Sequence, residues 1–257
     1  MDNNERLEQI LRELRKKKVT QVSELSRVCF VSPCTLRRDL IKLEQRGLIQ
    51  RVYGKVILLE NGDPDASCDA QRAEHLDGKL KIARLAARLV QDNSLVMLDS
   101  SSTVELMIPF LRDKRGLHII TNGLKTALAC QTELPDASVY CTGGELQRSV
   151  CGFTGTAAIR MIESFRPDVL FFSATALSPG DGVMVISEEC LYMKRCMLQA
   201  CEKRVLLCDS RKIGQRGHRK LCPLSELDCL VTDKRPGEEW QRALADAGVD
   251  LICPDED

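Results

Sequence analysis

No stretch of this chain approaches the ~20 consecutive apolar residues that a bilayer-spanning helix needs. Its charged start, MDNNERLEQILRELRKKK, contains no apolar run of the kind found in secretory leaders. These absences argue against a membrane protein and predict a cytoplasmic one. No Cys-x-x-Cys pair occurs among the 13 cysteines, and the three histidines, His75, His118 and His218, are scattered. A closed zinc site needs four nitrogen or sulfur ligands, and a reducing compartment keeps thiols unpaired. The cysteines therefore read as small hydrophobes, with no metal, no cofactor and no disulfide framework expected. Net charge is also missing, because 37 Lys and Arg balance 37 Asp and Glu. Neither an internal repeat nor a low-complexity tract is present.

The charge balance is uneven along the chain. Residues 1–60 hold 13 basic against 8 acidic residues and the remainder 24 against 29, so a head of +5 precedes a body of −5. A basic head on an acidic body suits a module that neutralises nucleic-acid phosphates joined to a ligand or assembly domain. At 257 residues the chain has room for both. The segment LENGDPDASCDA, from Leu59 to Ala70, lacks apolar periodicity and reads as a linker. The predicted division is a DNA-binding domain at 1–60, a linker at 61–70 and an effector-binding and oligomerisation domain at 71–257.

Within the head, SPCTLRRDLIKLEQRG (Ser32 to Gly47) reads as a helix. Ser32 is suited to cap it, Pro33 to fill the first helical position and Gly47 to end it. Leu36, Leu40 and Leu43 recur at helical spacing and form one packing stripe, while Cys34, Thr35, Arg37, Arg38, Lys42 and Gln45 cover the remainder. A paired arginine on a helix is ordinarily a solvated face. Here, though, two helices precede it, from about Asn4 to Lys17 and from Val22 to Cys29 with Val22, Leu25 and Val28 inward. The hairpin pattern LIQRVYGKVILL follows it. Three helices and a hairpin make a winged helix-turn-helix, whose second turn helix enters the major groove. The DNA-contacting set expected is Ser32, Cys34, Thr35, Arg37, Arg38 and Lys42, with Arg51, Tyr53 and Lys55 from the wing. The stretch VSPCTLRRDLIKLEQRGLIQRVYG resembles the N-terminal signature of the DeoR family of bacterial transcriptional regulators, with Tyr53-Gly54-Lys55 in place of that family's usual His-Gly-Gly wing turn.

A helix from about Gln71 to Val90 opens the body, with Leu80, Ala83, Ala86, Ala87 and Val90 available for packing. Beyond it, apolar strands (SLVML, HIIT, SVYC, DVLFFS, VMVI, RVLLC, CLVT, VDLIC) alternate with helical segments, including Val104 to Leu111, Leu124 to Gln131, Thr156 to Ser164, Glu188 to Cys201 and Pro236 to Ala247. Near-continuous apolar strands between helices predict an α/β body with a mostly parallel sheet covered on both faces. Ligands in such sheets bind beyond the carboxyl ends of strands. Those ends carry Asp99-Ser100-Ser101-Ser102-Thr103, Thr121-Asn122-Gly123, Thr142-Gly143-Gly144 and Asp209-Ser210-Arg211-Lys212. Hydroxyls and amides at a helix headed by Thr103 would favour an anion such as phosphate. Gly143-Gly144 would allow close backbone approach, Lys212 would neutralise charge, and Asp99 or Asp209 would accept from sugar hydroxyls. The simpler alternatives are that the serines only cap a helix and that Asp209 and Lys212 form a surface ion pair.

The body also resembles the DeoR family's C-terminal domain, a fold related to sugar-phosphate isomerases, glucosamine phosphate deaminases and CoA transferases. The similarity runs from Lys79-x-x-Ile82-Ala83 through LDSSST, TNGL, TGGEL, SEECLYMKRCM and CDSRKIG to LDCLVTD. By that resemblance Ser100, Ser102, Thr103, Thr121, Asn122, Gly143, Gly144, Lys194, Asp209 and Lys212 match the effector-site motifs, and Asp99 and Ser101 stand in the same loop. Ser101 replaces a usual Gly, and Ser173-Ala174-Thr175-Ala176 replaces a Gly-x-Asp-Gly-like turn. The family implies a repressor of a carbohydrate operon that binds operator duplex DNA, responds to a phosphorylated sugar or sugar alcohol, and forms a homodimer or homotetramer. Two other readings compete. One is a sugar-phosphate isomerase or deaminase, which would need a positioned carboxylate or His. The other is a regulator whose body serves assembly alone.

Overall fold

The computed structural model describes residues 3–17, 19–45, 49–52, 55–58, 75–147 and 151–254. The chain divides into two compact units, Met1–Ala70 and Gln71–Asp257. Gly47, Tyr53, the segment 61–70 and the start of the predicted helix at 71–74 lie outside the described residues, as does the side chain of Arg51. No helix among the described residues is long and apolar enough to cross a membrane.

The first unit runs α1 (Asn3–Lys16), β1 (Val19–Gln21), α2 (Val22–Val28), α3 (Pro33–Gln45), β2 (Ile49–Val52) and β3 (Lys55–Leu58). The strands form an antiparallel sheet in the order β1-β3-β2. Three residues are too few to show alternation, so β1 has no signature in the sequence. Leu7, Ile10, Leu11 and Leu14 of α1 pack with Leu25 and Cys29, with the α3 stripe Leu36, Leu40 and Leu43, and with Ile49 and Val56. Val28, expected inside, is exposed. Val28 and Cys29 stand three and four residues from Leu25, spacings that suit one face equally, and the structure turns Cys29 inward in place of Val28.

The second unit is built on a seven-stranded sheet in the order β15-β14-β12-β9-β4-β5-β6. Its strands are β4 (Leu95–Leu98), β5 (His118–Thr121), β6 (Ser138–Cys141), β9 (Val169–Ser173), β12 (Lys203–Leu207), β14 (Cys229–Val231) and β15 (Asp250–Ile252), all paired in parallel. Alternate residues feed opposite faces. Met97, Leu170, Phe172, Leu206 and Leu230 join one core, and Val96, Leu98, Phe171, Val205 and Val231 the other. The first core packs under α7 (Thr156–Glu163), α8 (Glu188–Ala200) and α9 (Glu238–Asp246), and the second under α4 (Leu76–Ala87) and α6 (Leu124–Glu133).

Two expectations for this unit need correction, and one element is additional. VMVI lies outside the parallel sheet: β11 (Gly182–Val185) pairs antiparallel with β10 (Ala176–Ser178) and β13 (Arg219–Cys222) in a separate sheet. Apolar composition alone does not reveal strand direction. A further hairpin, β7 (Glu145–Gln147) with β8 (Gly152–Thr154), was not foreseen. The helix expected over Val104 to Leu111 is instead α5 (Ser102–Glu105) followed by a 3₁₀ turn at Ile108–Leu111, where Pro109 has no amide to continue an α-helix.

Candidate functional site

In the first unit, α3 begins as its residues dictate. The Ser32 hydroxyl accepts from the Thr35 amide at 3.2 Å and lies 2.8 Å from the Thr35 hydroxyl. The Leu36, Leu40 and Leu43 stripe is buried, leaving Cys34, Arg37, Arg38 and Lys42 exposed on the opposite side; Lys55 on β3 is exposed as well. The sequence reading missed Asp39. It is buried on α3 and accepts from Arg6 Nε at 2.5 Å and from a terminal Arg6 nitrogen at 3.2 Å, tying α3 to α1. Its place between Leu36 and Leu40 on the inward stripe was the available signal.

In the second unit, strand order reverses between β4 and β9. Chain progression runs outward from β4 to β5 and β6 on one side, and from β9 to β12, β14 and β15 on the other. Such a reversal opens a crevice at the carboxyl ends of the strands. A cavity of about 450 Å³ lies there, lined by the loops after β4, β9 and β12 together with α4 and α8. Ser100, Ser101, Ser102, Thr103, Lys194, Asp209 and Lys212 of the expected set line it. So do Ser173, Ala174 and Thr175, the residues that depart from the family's turn. Thr121, Asn122, Gly143 and Gly144 do not line it; they follow β5 and β6, which stand one and two strands beyond β4 from the reversal. Thr121 instead accepts the Gly123 amide at 2.9 Å, and Asn122 donates to the Phe153 carbonyl at 3.0 Å. Gly144 adopts φ 107 where a Cβ would come within 2.5 Å of the Thr154 carbonyl oxygen, so its missing side chain serves the β7–β8 hairpin.

Asp99 underlies the cavity. Its buried carboxylate accepts from the Ser101 amide at 2.8 Å and the Ser173 amide at 3.0 Å and pairs with Lys194. These bonds turn the carboxylate toward the loops it holds. Ser101, with φ −75, caps α5 by accepting from the Val104 amide at 3.4 Å, so the position makes no demand for glycine. The cap is thus Ser101, and Thr103 lies inside a helix of four residues, too short for a substantial dipole. An anion would be held by side-chain cations instead. Lys79 and Arg211, which the sequence places at the start of the family similarity and at the β12 end but outside the expected effector set, join Lys194 and Lys212 around the cavity. Lys79 Nζ donates to the Ser102 hydroxyl at 3.1 Å. Lys79 precedes Ile82 by three residues and Ala83 by four, a spacing that puts it on the buried stripe of α4.

Lys212 Nζ donates to the Ala174 carbonyl at 2.9 Å and lies 3.9 Å from Asp209 Oδ2. Asp209 is completely buried, so this is no surface ion pair. Its Oδ1 accepts from the Arg211 amide at 3.2 Å and Arg211 Nε at 3.1 Å, while Oδ2 has no hydrogen-bond partner among the described residues. Such an oxygen can accept from a hydroxyl-bearing guest. The arrangement offers four cations and a row of hydroxyls for an anionic group, with a carboxylate oxygen for a neighbouring hydroxyl.

Residues 6–61 match the DeoR-like helix-turn-helix domain, and residues 74–234 match the DeoR C terminal sensor domain. The chain is 28% identical over 251 residues to a putative aga operon transcriptional repressor of Escherichia coli O157:H7, covering 97% of this chain and 93% of the relative. It is 30% identical over 241 residues to the lactose phosphotransferase system repressor of Staphylococcus aureus (strain N315), covering 93% of this chain and 95% of the relative. Among solved structures, ribose 5-phosphate isomerase A of Methanocaldococcus jannaschii is similar over 55% of each chain, at 16% identity and a TM-score of 0.40. With a helix-turn-helix and a sensor domain matched in order, the chain belongs to the DeoR family of transcriptional regulators.

Proposed function

We propose that this protein represses a carbohydrate-metabolism operon, with α3 reading operator DNA and a phosphorylated sugar or sugar alcohol in the cavity setting how firmly the operator is held. The observation that carries this reading is the cation-rich, hydroxyl-lined cavity at the β4–β9 reversal. Lys79, Lys194, Arg211 and Lys212 would hold the phosphate with Ser100, Ser101, Ser102 and Thr103, and Asp209 Oδ2 would take a ligand hydroxyl. The relatives' names, an aga operon repressor and a lactose phosphotransferase system repressor, support the carbohydrate assignment. Residues 1–60 form the DNA-binding part, 61–70 the linker and 71–257 the sensing and assembly part. Two reading heads suit two operator half-sites, so the working form is a homodimer or homotetramer. No turnover is assigned to the cavity: the relatives are named as transcriptional repressors, and the one cavity carboxylate with an unpartnered oxygen among the described residues, Asp209, is read as an acceptor for a ligand hydroxyl.

Thermal shift against hexose, pentose and hexitol phosphates, with inorganic phosphate as control, tests the effector reading. A ligand at one hundred times its Kd stabilises the native state by about 2.7 kcal/mol. The same compound should change operator affinity by roughly 5- to 150-fold. A flat screen would favour a body that serves assembly alone, and conversion of a sugar phosphate to product would favour an enzyme.

A further inference from the structure

We propose that His75 is a positioning residue through which the cavity grips the start of the body, so that occupying the cavity fixes the first turn of α4 more firmly. This builds on the effector reading and adds to it a route out of the site.

His75 immediately precedes α4 and has φ 54, a left-handed conformation that residues with a Cβ seldom adopt unless held there. Its ring lies between two carboxylates, neither of them within hydrogen-bond distance. Its Nδ1 lies 3.6 Å from Asp209 Oδ1 and its Nε2 lies 3.7 Å from Asp233 Oδ2, carboxylates that follow β12 and β14. Asp233 is itself fixed by the Ser210 amide at 2.7 Å and the Ser210 hydroxyl at 3.1 Å. The seat for the ring exists because residue 78 is glycine: a Cβ there would lie 2.4 Å from His75 Cε1. The His75 carbonyl accepts the Lys79 amide at 3.1 Å, and Lys79 Nζ reaches Ser102 in the cavity. Two cavity-lining residues, Asp209 and Lys79, therefore meet at one residue that does not line the cavity.

An anion in the cavity would draw on Arg211 and Lys212, which now lie 3.1 Å and 3.9 Å from the Asp209 carboxylate. With part of that positive charge diverted, the Asp209 carboxylate is left facing the His75 ring nitrogen 3.6 Å away and draws it in more tightly. His75 stands at the N-terminal end of α4, the end of the helix nearer in sequence to the first unit.

Amide hydrogen exchange over residues 75–80 of the full-length protein tests this. Asp209→Asn should speed exchange of the Lys79 amide about tenfold, a local loss of the kind such exchange resolves. Gly78→Ala, which pushes the ring off its seat without altering a cavity-lining group, should do the same. His75→Asn, which keeps a residue tolerant of left-handed backbone, should as well. Inorganic phosphate, as the probe, should slow this exchange in the wild type but not in Gly78→Ala or His75→Asn, a response that a merely structural role would not produce. Unchanged exchange in the two variants outside the cavity, or no phosphate effect in the wild type, would overturn the proposal. The variant comparison needs no sugar phosphate, so a flat thermal screen would sink the effector reading while leaving this result to stand or fall alone.

Discussion

The Ser173 amide donates to the Asp99 carboxylate at 3.0 Å, joining the end of β9 to the end of β4 at the point where strand order reverses. The same carboxylate holds the Ser101 amide and Lys194. Asp99→Asn leaves Lys194 without its counter-charge in a mostly buried position, and the cost should be on the order of 3 kcal/mol. Urea denaturation measures it. Sugar-phosphate binding should weaken as well, because the loops after β4 and β9 lose their shared anchor; unchanged stability would show that Lys194 finds another partner.

The Arg6–Asp39 pair fixes α3 against α1 from the side opposite the exposed arginines. Asp39→Ala should cost about 2 kcal/mol, the scale of a charge-assisted hydrogen bond lost in a sheltered site. It should lower the ratio of operator to random-sequence affinity while leaving the salt dependence of random-sequence binding unchanged. Fluorescence anisotropy at several salt concentrations separates the two effects.

Arg37→Ala and Arg38→Ala should each weaken operator binding by about 1–3 kcal/mol wherever the arginine reaches a base edge. Lys55→Ala should act uniformly across sequences and reduce the salt slope by about one, as expected for a phosphate contact. Undiminished operator affinity in both arginine variants at physiological salt would remove α3 from the reading role.

Lys212→Met should reduce the affinity for a sugar phosphate by about tenfold or more, since one charge-assisted bond is worth about 1.5–3 kcal/mol. The Ala174 carbonyl also loses its donor, so a modest fall in melting temperature should accompany the change. Isothermal titration with a compound that stabilises the wild type provides the check.

Burial pushes the thiols of Cys130, Cys201, Cys208 and Cys222 up from an ordinary value of 9.0 to about 12. A proton held more tightly in the folded state stabilises fully below the unfolded value. That contribution is lost as pH rises from about 9 toward 12, where the unfolded chain ionises first. The urea midpoint should therefore fall across this window and be insensitive to these thiols below it. At neutral pH an alkylating reagent should modify exposed Cys34 well before these four.

Much of this was legible before any coordinates. The leucine spacing of α3 and its Ser-Pro start announce a helix with two faces, and fully apolar runs such as VLFFS announce central parallel strands. The order of strands was not legible, because periodicity records which residues are buried without recording which strand lies beside which. Thr121, Asn122, Gly143 and Gly144, at the ends of β5 and β6, therefore look equivalent to Ser100 and Asp209, although the cavity lies at the ends of β4, β9 and β12. Lys79 was hidden for a different reason: a lysine on an inward stripe contradicts the hydrophobic pattern that reveals the stripe.

The two faces of α3 answer to different demands. Leu36, Leu40, Leu43 and Asp39 are committed to the interior, whereas Cys34, Arg37, Arg38 and Lys42 project outward. Exchanges at such outward positions usually change stability by no more than about 0.5 kcal/mol. With α3 as the proposed operator-reading helix, target preference can diverge by drift along one helix surface while the scaffold is left intact.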